Sequence, residues 1–444
     1  MEYNYKYATE RFALIEGVAP EEVDDCFRVL FEVFGKDWLD LESDNVVQRL
    51  WKAKYHLATE ELYALGFALR NLQGIDQKFI KDKVALMRSA DPKDVNGAMF
   101  EVFALSSFGK HYKVIPAKEG QPGYDGIIET GTEKTINLSI KNYSISAHQK
   151  SFMEYAAQIE QLAQQYIAQF NCVPLEIIIN KKTVYPSAAD WQQLKDNFHG
   201  AFIEYNNSGK KYQRVEIGDW SIIMQRLIPS SGKLAENPKS YTLIISSKFH
   251  KNEEKNLFDK LDEGMANIIK HQPKETTDNK NCIIIHLPMI ASRKNCKEWV
   301  MDYFTKYPDK PLSAVILVQP LVVTSPEGNA EYISIGRSMV ARSAFGDDFA
   351  SVLPLQFTMP IGKIESADLT PSIFIRGEGE EGHRVILDNC YVYQQGHHYY
   401  EAEIKDGIYE VHIAKIASGI TRHTVLLGIE VAGHHEPIDR LEML

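Results

Sequence analysis

Two short apolar runs lie back to back in this chain, Gly126-Ile127-Ile128-Glu129 and Thr135-Ile136-Asn137-Leu138-Ser139-Ile140-Lys141, with Thr130-Gly131-Thr132 between them. Runs of this length, rich in Ile and broken by a Gly turn, predict two adjacent strands. Side chains alternate along a strand, so Ser139 and Lys141 share one face and Ile140 points the other way, into the core. Asp125 stands at the start of the first run, after Gly123-Tyr124. Asp91-Pro92 is a good cap and first residue for a helix running through Met99, Phe100, Phe103 and Ala104 and stopping near Gly109. A strand at Tyr112–Ile115 follows it. Beyond the pair come a helix through Phe152, Ala156, Ile159 and Leu162 and a strand at Leu175–Asn180. Helix, three strands, helix, strand predicts an α/β unit around a mixed sheet.

The flanks differ from this centre. Pro20-Glu21-Glu22 opens a helix carrying Cys26, Val29, Leu30 and Phe34, and Thr59-Glu60-Glu61 opens another with Leu62, Leu65, Leu69 and Leu72 on one face. After a polar Ser/Gly/Pro stretch at 230–238, strands at Tyr241–Ser246, Cys282–Leu287 and Ala314–Gln319 alternate with helices at Asn256–Ile269 and Cys296–Tyr307. From Ser372 to Val431 the chain reads as strands and turns. The expected architecture is a multi-domain α/β protein. It has a helical N-terminal region over 1–85, a central mixed sheet flanked by helices over 86–232, and a C-terminal α/β domain with a β-rich tail over 238–444.

Charge is unevenly spread. Residues 1–80 hold 9 Lys and Arg against 15 Asp and Glu, residues 81–240 hold 19 against 17, and the rest 21 against 28. Only the central third escapes the acidic balance, which permits contact with phosphates there and disfavours it elsewhere. Five cysteines lie far apart without Cys-x-x-Cys spacing, so neither a zinc knuckle nor a disulfide framework is expected. No leader peptide and no membrane helix are expected, and a reducing cytoplasm suits the cysteines.

Hydrolysis of a phosphodiester needs a divalent metal against the phosphate, an activated water and positive charge facing the developing oxyanion. Asp125, Ser139 and Lys141 on paired strands place a carboxylate, a hydroxyl and an ammonium on one rigid platform. With Glu101 on the preceding helix, these residues resemble the core of the PD-(D/E)XK superfamily, the restriction-endonuclease-like nucleases. The resemblance covers residues 91–180. It implies that Asp125 and Glu101 bind Mg²⁺ or Mn²⁺, with the Ile140 carbonyl as a further ligand, and that Lys141 serves the attacking water. Ser139 departs from the family pattern, which has Glu or Asp there. Glu154 and Gln158, on the helix after the strands, are possible helpers, and Glu101 or Glu154 can supply the missing carboxylate.

Lys210, Lys211 and Arg214, interleaved with Tyr212, are candidate nucleic-acid contacts. The histidine pairs at 397–398 and 434–435 lack metal-site spacing, and Gly377–Gly382 is too acidic to cradle a phosphate. The resemblance implies a Mg²⁺-dependent endonuclease acting on DNA, with RNA as an alternative substrate, and by analogy an effector of antiviral defence. Its rivals are a catalytically inactive nuclease-like scaffold or adaptor, and an interaction protein working through its C-terminal domain. The acidic flanks are expected to mediate homo-oligomerisation or docking of a protein partner.

Overall fold

The computed structural model describes residues 15, 18–53, 56–117, 125–130, 135–143, 146–172, 175–209, 212–226, 241–271, 280–288, 291–324 and 331–342. Beyond these it describes 363–365, 369–375, 383–386, 389–395, 398–405, 408–415, 424–425, 430–431 and 434–435. Helices come first: α1 (Pro20–Phe34), α2 (Lys36–Leu39), α3 (Val46–Lys52), α4 (His56–Gln73), α5 (Gln77–Met87) and α6 (Pro92–Gly109). Proline and two glutamates set the first turn of α1, and Gly35, at φ +74°, ends it in a conformation that other residues resist. Asp91 caps α6 as expected, its side chain accepting from the Lys93 N–H at 2.9 Å.

The chain then forms β1 (Lys113–Pro116), β2 (Gly126–Glu129), β3 (Thr135–Asn142), α7 (Ala147–Phe170), β4 (Leu175–Lys181), α8 (Ala188–Ser208), β5 (Tyr212–Ile217), β6 (Trp220–Arg226) and β7 (Tyr241–Lys248). Next are α9 (Glu253–His271), β8 (Lys280–His286), α10 (Arg293–Lys306), β9 (Ala314–Thr324) and β10 (Glu331–Ala341). The tail adds β11 (Lys363–Glu365), β12 (Leu369–Ile375), β13 (His383–Ile386), β14 (Cys390–Gln395), β15 (His398–Lys405), β16 (Ile408–Lys415) and three two-residue strands.

The larger sheet runs β1-β2-β3-β8-β9 and continues into the tail strands, with β10 also paired to β9. Alternation sorts its side chains cleanly. Ile136, Leu138 and Ile140 of β3, Cys282 and Ile284 of β8, and Ala314, Ile316 and Val318 of β9 join one core with α1 to α6. Ile283, Ile285, Val315 and Leu317 join the opposite core with α9 and α10. The result is a three-layer sandwich. Its helical first layer shares that continuous core, which crosses the expected boundary at residue 85.

The strand order corrects one expectation. β4 does not complete the sheet begun by β1 to β3. It lies at the centre of a second sheet, β14-β7-β4-β6-β5, covered by α7 and α8. The neighbour of β3 is β8, paired in parallel from Ile136↔Lys280 to Asn142↔His286. Residues 147–248 therefore form an inserted unit, and the helix leading into the next strand of the larger sheet is α9. β7, read from sequence as the start of the C-terminal domain, pairs with β4 inside the inserted unit. A run such as Leu175–Lys181 declares that it is a buried strand but carries no mark of its partner. The expected linker at 230–238 lies outside the described residues. Among the described residues, no helix is long and apolar enough to cross a membrane.

Candidate functional site

Asp125 is fixed by its backbone before its side chain acts. Its N–H donates to the Leu138 carbonyl at 2.8 Å, and its carbonyl accepts from the Ala117 N–H at 3.1 Å. The β2–β3 register ends at Gly126↔Leu138. Past that point the Asp125 carboxylate replaces the missing strand: Oδ2 accepts the Ile140 N–H, and the Ser139 hydroxyl at 3.3 Å. In a strand, one residue's N–H and C=O emerge on the same side. The Ile140 carbonyl therefore leaves β3 on the Asp125 side.

Lys141 follows on the same face of β3 as Ser139. Its side chain is only 13% exposed and its Nζ lies 3.4 Å from Glu263 Oε1 on α9. Burial pushes the Glu263 carboxyl up, but Lys260 and Lys141 outweigh it and hold it below the usual range. Glu101 reaches the site from α6 and is ion-paired with Lys83 of α5. Burial raises its carboxyl to about 7. Lys83 opposes that rise, the nearby Asp125 charge adds to it, and Lys141 opposes it. Direct contact with an ammonium thus fails to offset the loss of hydration, and Glu101 is poised to exchange a proton near neutrality.

Next to Lys141, Asn142 Oδ1 meets His286 Nδ1 at 2.6 Å, and Phe100 of α6 packs on the His286 ring with centroids 4.6 Å apart. The site occupies the C-terminal ends of the parallel strands β3 and β8, where open α/β sheets hold their ligands.

The structure brings Glu101, Asp125, Ser139, Ile140 and Lys141 into one neighbourhood. It does not bring the others. Glu154 and Gln158 are exposed on α7 in the inserted unit, where Gln158 accepts from Lys195. Arg214 sits on β5 at the far edge of the second sheet, its Nε 2.7 Å from Glu216 Oε1. Lys210 and Lys211 lie outside the described residues, as do His397 and Gly377–Gly382. Sequence reading missed Lys83, Glu263 and His286. Asn142 adjoins the Ser139-Ile140-Lys141 run and was within reach of it, whereas the other three come from remote elements.

A hard divalent cation takes oxygen ligands. Asp125 Oδ1, which has no hydrogen-bond partner among the described residues, the Glu101 carboxyl and the Ile140 carbonyl match that donor type. Among the described residues, no group of three or more His, Cys, Asp and Glu side chains is placed to hold a metal. Two carboxylates and one main-chain oxygen are the set this site can offer. No protein family, curated protein or solved structure matches the chain.

Proposed function

We propose that this site is a metal-dependent phosphodiesterase acting on nucleic acid, with DNA as the first substrate class to test. The observation that carries the reading is the Asp125 carboxylate, clamped at the end of β3 by the Ile140 N–H and Ser139, with Lys141 next on the same face. Asp125 Oδ1, Glu101 and the Ile140 carbonyl would hold Mg²⁺ or Mn²⁺. The ion would polarise a phosphoryl oxygen and lower the pKa of a bound water. Lys141 places positive charge where the pentavalent phosphorane gains negative charge. Burial holds the Glu101 carboxyl near 7 in the metal-free protein, so Glu101 would release its proton on taking up the ion. Glu263 must give up Lys141 to the substrate phosphate for this to occur, since one ammonium cannot neutralise both.

A second reading is a nuclease-like fold without catalysis, acting as a scaffold or adaptor. Ser139 favours it, because a neutral hydroxyl that donates to Asp125 brings no charge to a metal. So does the occupation of Lys141 by Glu263. Incubating supercoiled plasmid, linear DNA and RNA with the protein and Mg²⁺ or Mn²⁺, beside Asp125→Ala and Lys141→Ala, separates the two. Metal-dependent cleavage lost in both variants supports the enzyme. Cleavage that survives both substitutions sinks the site, and no cleavage with any substrate supports the scaffold.

A further inference from the structure

The inserted unit joins the larger body through two crossings, β3 into α7 and β7 into α9. A histidine stands at each: His148 in the first turn of α7, and His250 just past the end of β7. Their rings stack with centroids 3.6 Å apart and planes 16° from parallel. Tyr185, between β4 and α8, sets its ring edgewise to both, and its hydroxyl donates to the His148 carbonyl at 2.9 Å. His250 Nδ1 accepts the Asn252 N–H at 3.2 Å. In the neutral ring that nitrogen carries the lone pair, so an arriving proton adds there and turns the acceptor into a donor facing a donor.

Directly alongside, the buried Glu253 at the start of α9 accepts three hydroxyls. They come from Tyr143 at the exit of β3 (2.9 Å), Ser146 at the cap of α7, and Tyr391 of β14. The same knot thus ties both crossings and the strand β14. The charged groups acting on His250 are His148 from α7, and Lys251 and Glu253 from its own turn and α9. Burial and hydroxyl bonding push Tyr143 and Tyr391 up, and burial raises Tyr185 too, so none of the three titrates with His250.

We propose that His250, stacked on His148, makes an acid-sensitive clasp, holding the two crossings of the inserted unit together while the His250 ring is neutral and releasing them when it is protonated. The Asn252 bond is lost when His250 Nδ1 takes up a proton, because two donors then face each other at 3.2 Å. Burial, then His148 and then Lys251 keep His250 below the ordinary histidine value of 6.5, against the pull of Glu253. The closed clasp thus binds fewer protons than the open one, so its stability rises with pH and is lost as pH falls below that value. The proposal is independent of the chemistry assigned to Asp125 and Lys141.

Hydrogen exchange of the full-length protein tests it, with rates corrected for the intrinsic effect of pH. Between about pH 7.5 and about pH 5.5, protection of residues 146–152 and 246–256 is expected to fall relative to β8, by up to about tenfold for one titrating imidazole. His250→Asn keeps an oxygen acceptor for Asn252 without a titrating ring, and the acid loss is expected to vanish in it. Equal relative protection at both pH values in the wild type overturns the proposal, as does an acid loss that persists in His250→Asn. If that variant does not fold, the wild-type comparison decides alone.

Discussion

Asp125 does two jobs that substitutions can separate. It ends a strand ladder by accepting a main-chain N–H, and it presents a second carboxylate oxygen outward. Asp125→Ala leaves the Ile140 N–H without its acceptor, a loss of about 1–3 kcal/mol. Asp125→Asn keeps an oxygen for that N–H and is expected to melt close to the wild type. On the proposed function both variants lose cleavage, so thermal melts beside plasmid assays distinguish a ligand from a ladder end. The Lys141–Glu263 pair calls for the opposite balance. Glu263 is half exposed, and such pairs contribute about 0–1 kcal/mol. Glu263→Gln is therefore expected to shift unfolding by less than about 1 kcal/mol while raising the rate of any Lys141-dependent cleavage, as single-turnover kinetics would report. Ser139 and Lys141 were legible together because residues two apart on a strand share a face, and Asp125 because it stands at the start of the adjoining strand. Lys83 and Glu263 were not, because α5 and α9 reach the site only through the packing of three layers.

At the scale of elements, close approach sets its own constraint. Gly66 of α4 lies where α1 crosses, and a Cβ there would meet the Cys26 carbonyl oxygen at 2.4 Å. Backbone cannot rotate away as a side chain can, so Gly66→Ala is expected to destabilise by about 1–3 kcal/mol despite the better helix propensity of alanine. Denaturant titration checks this, with a lower midpoint expected. Asp91-Pro92 announced α6, whereas α8 went unread although both halves of its capping box, Ser187 and Asp190, form. The strands announced themselves through Ile-rich runs. What the runs did not carry was partnership. β3 and β4 are neighbours in sequence with a helix between, the arrangement that most often gives adjacent parallel strands. Here the helix and strand that continue the larger sheet are α9 and β8, reached only after four strands of the second sheet, β4 to β7, have intervened in the chain. Matching of apolar faces between Ile136–Ile140 and Cys282–Ile284 decides the pairing, and no local signal encodes it.

Across the whole molecule the N-terminal helices are bound to the sheet by more than apolar packing. Glu60 of α4 is 5% exposed, and its Oε2 accepts the Ile333 N–H of β10 at 3.3 Å. Burial raises its carboxyl from 4.5 to about 7, the Ile333 bond opposing the rise. Glu101 is raised to about the same value, also by burial. Both sit where the first helical layer meets the larger sheet or its strand ends. A carboxyl raised by folding is protonated in the native state over a range where the unfolded chain has lost its proton. Stability contributed by the neutral form is therefore complete below about 4.5 and drains away as pH rises to about 7. For Glu60 the displacement corresponds to at most about 3 kcal/mol. Glu60→Gln keeps an oxygen for the Ile333 N–H and has no proton to lose. Its unfolding free energy is expected to exceed the wild type's at about pH 8 and to match it near pH 4.5, the difference opening between those values. Chemical denaturation across that range measures it. A constant difference at every pH would show that the docking of α4 onto β10 does not depend on the charge of Glu60.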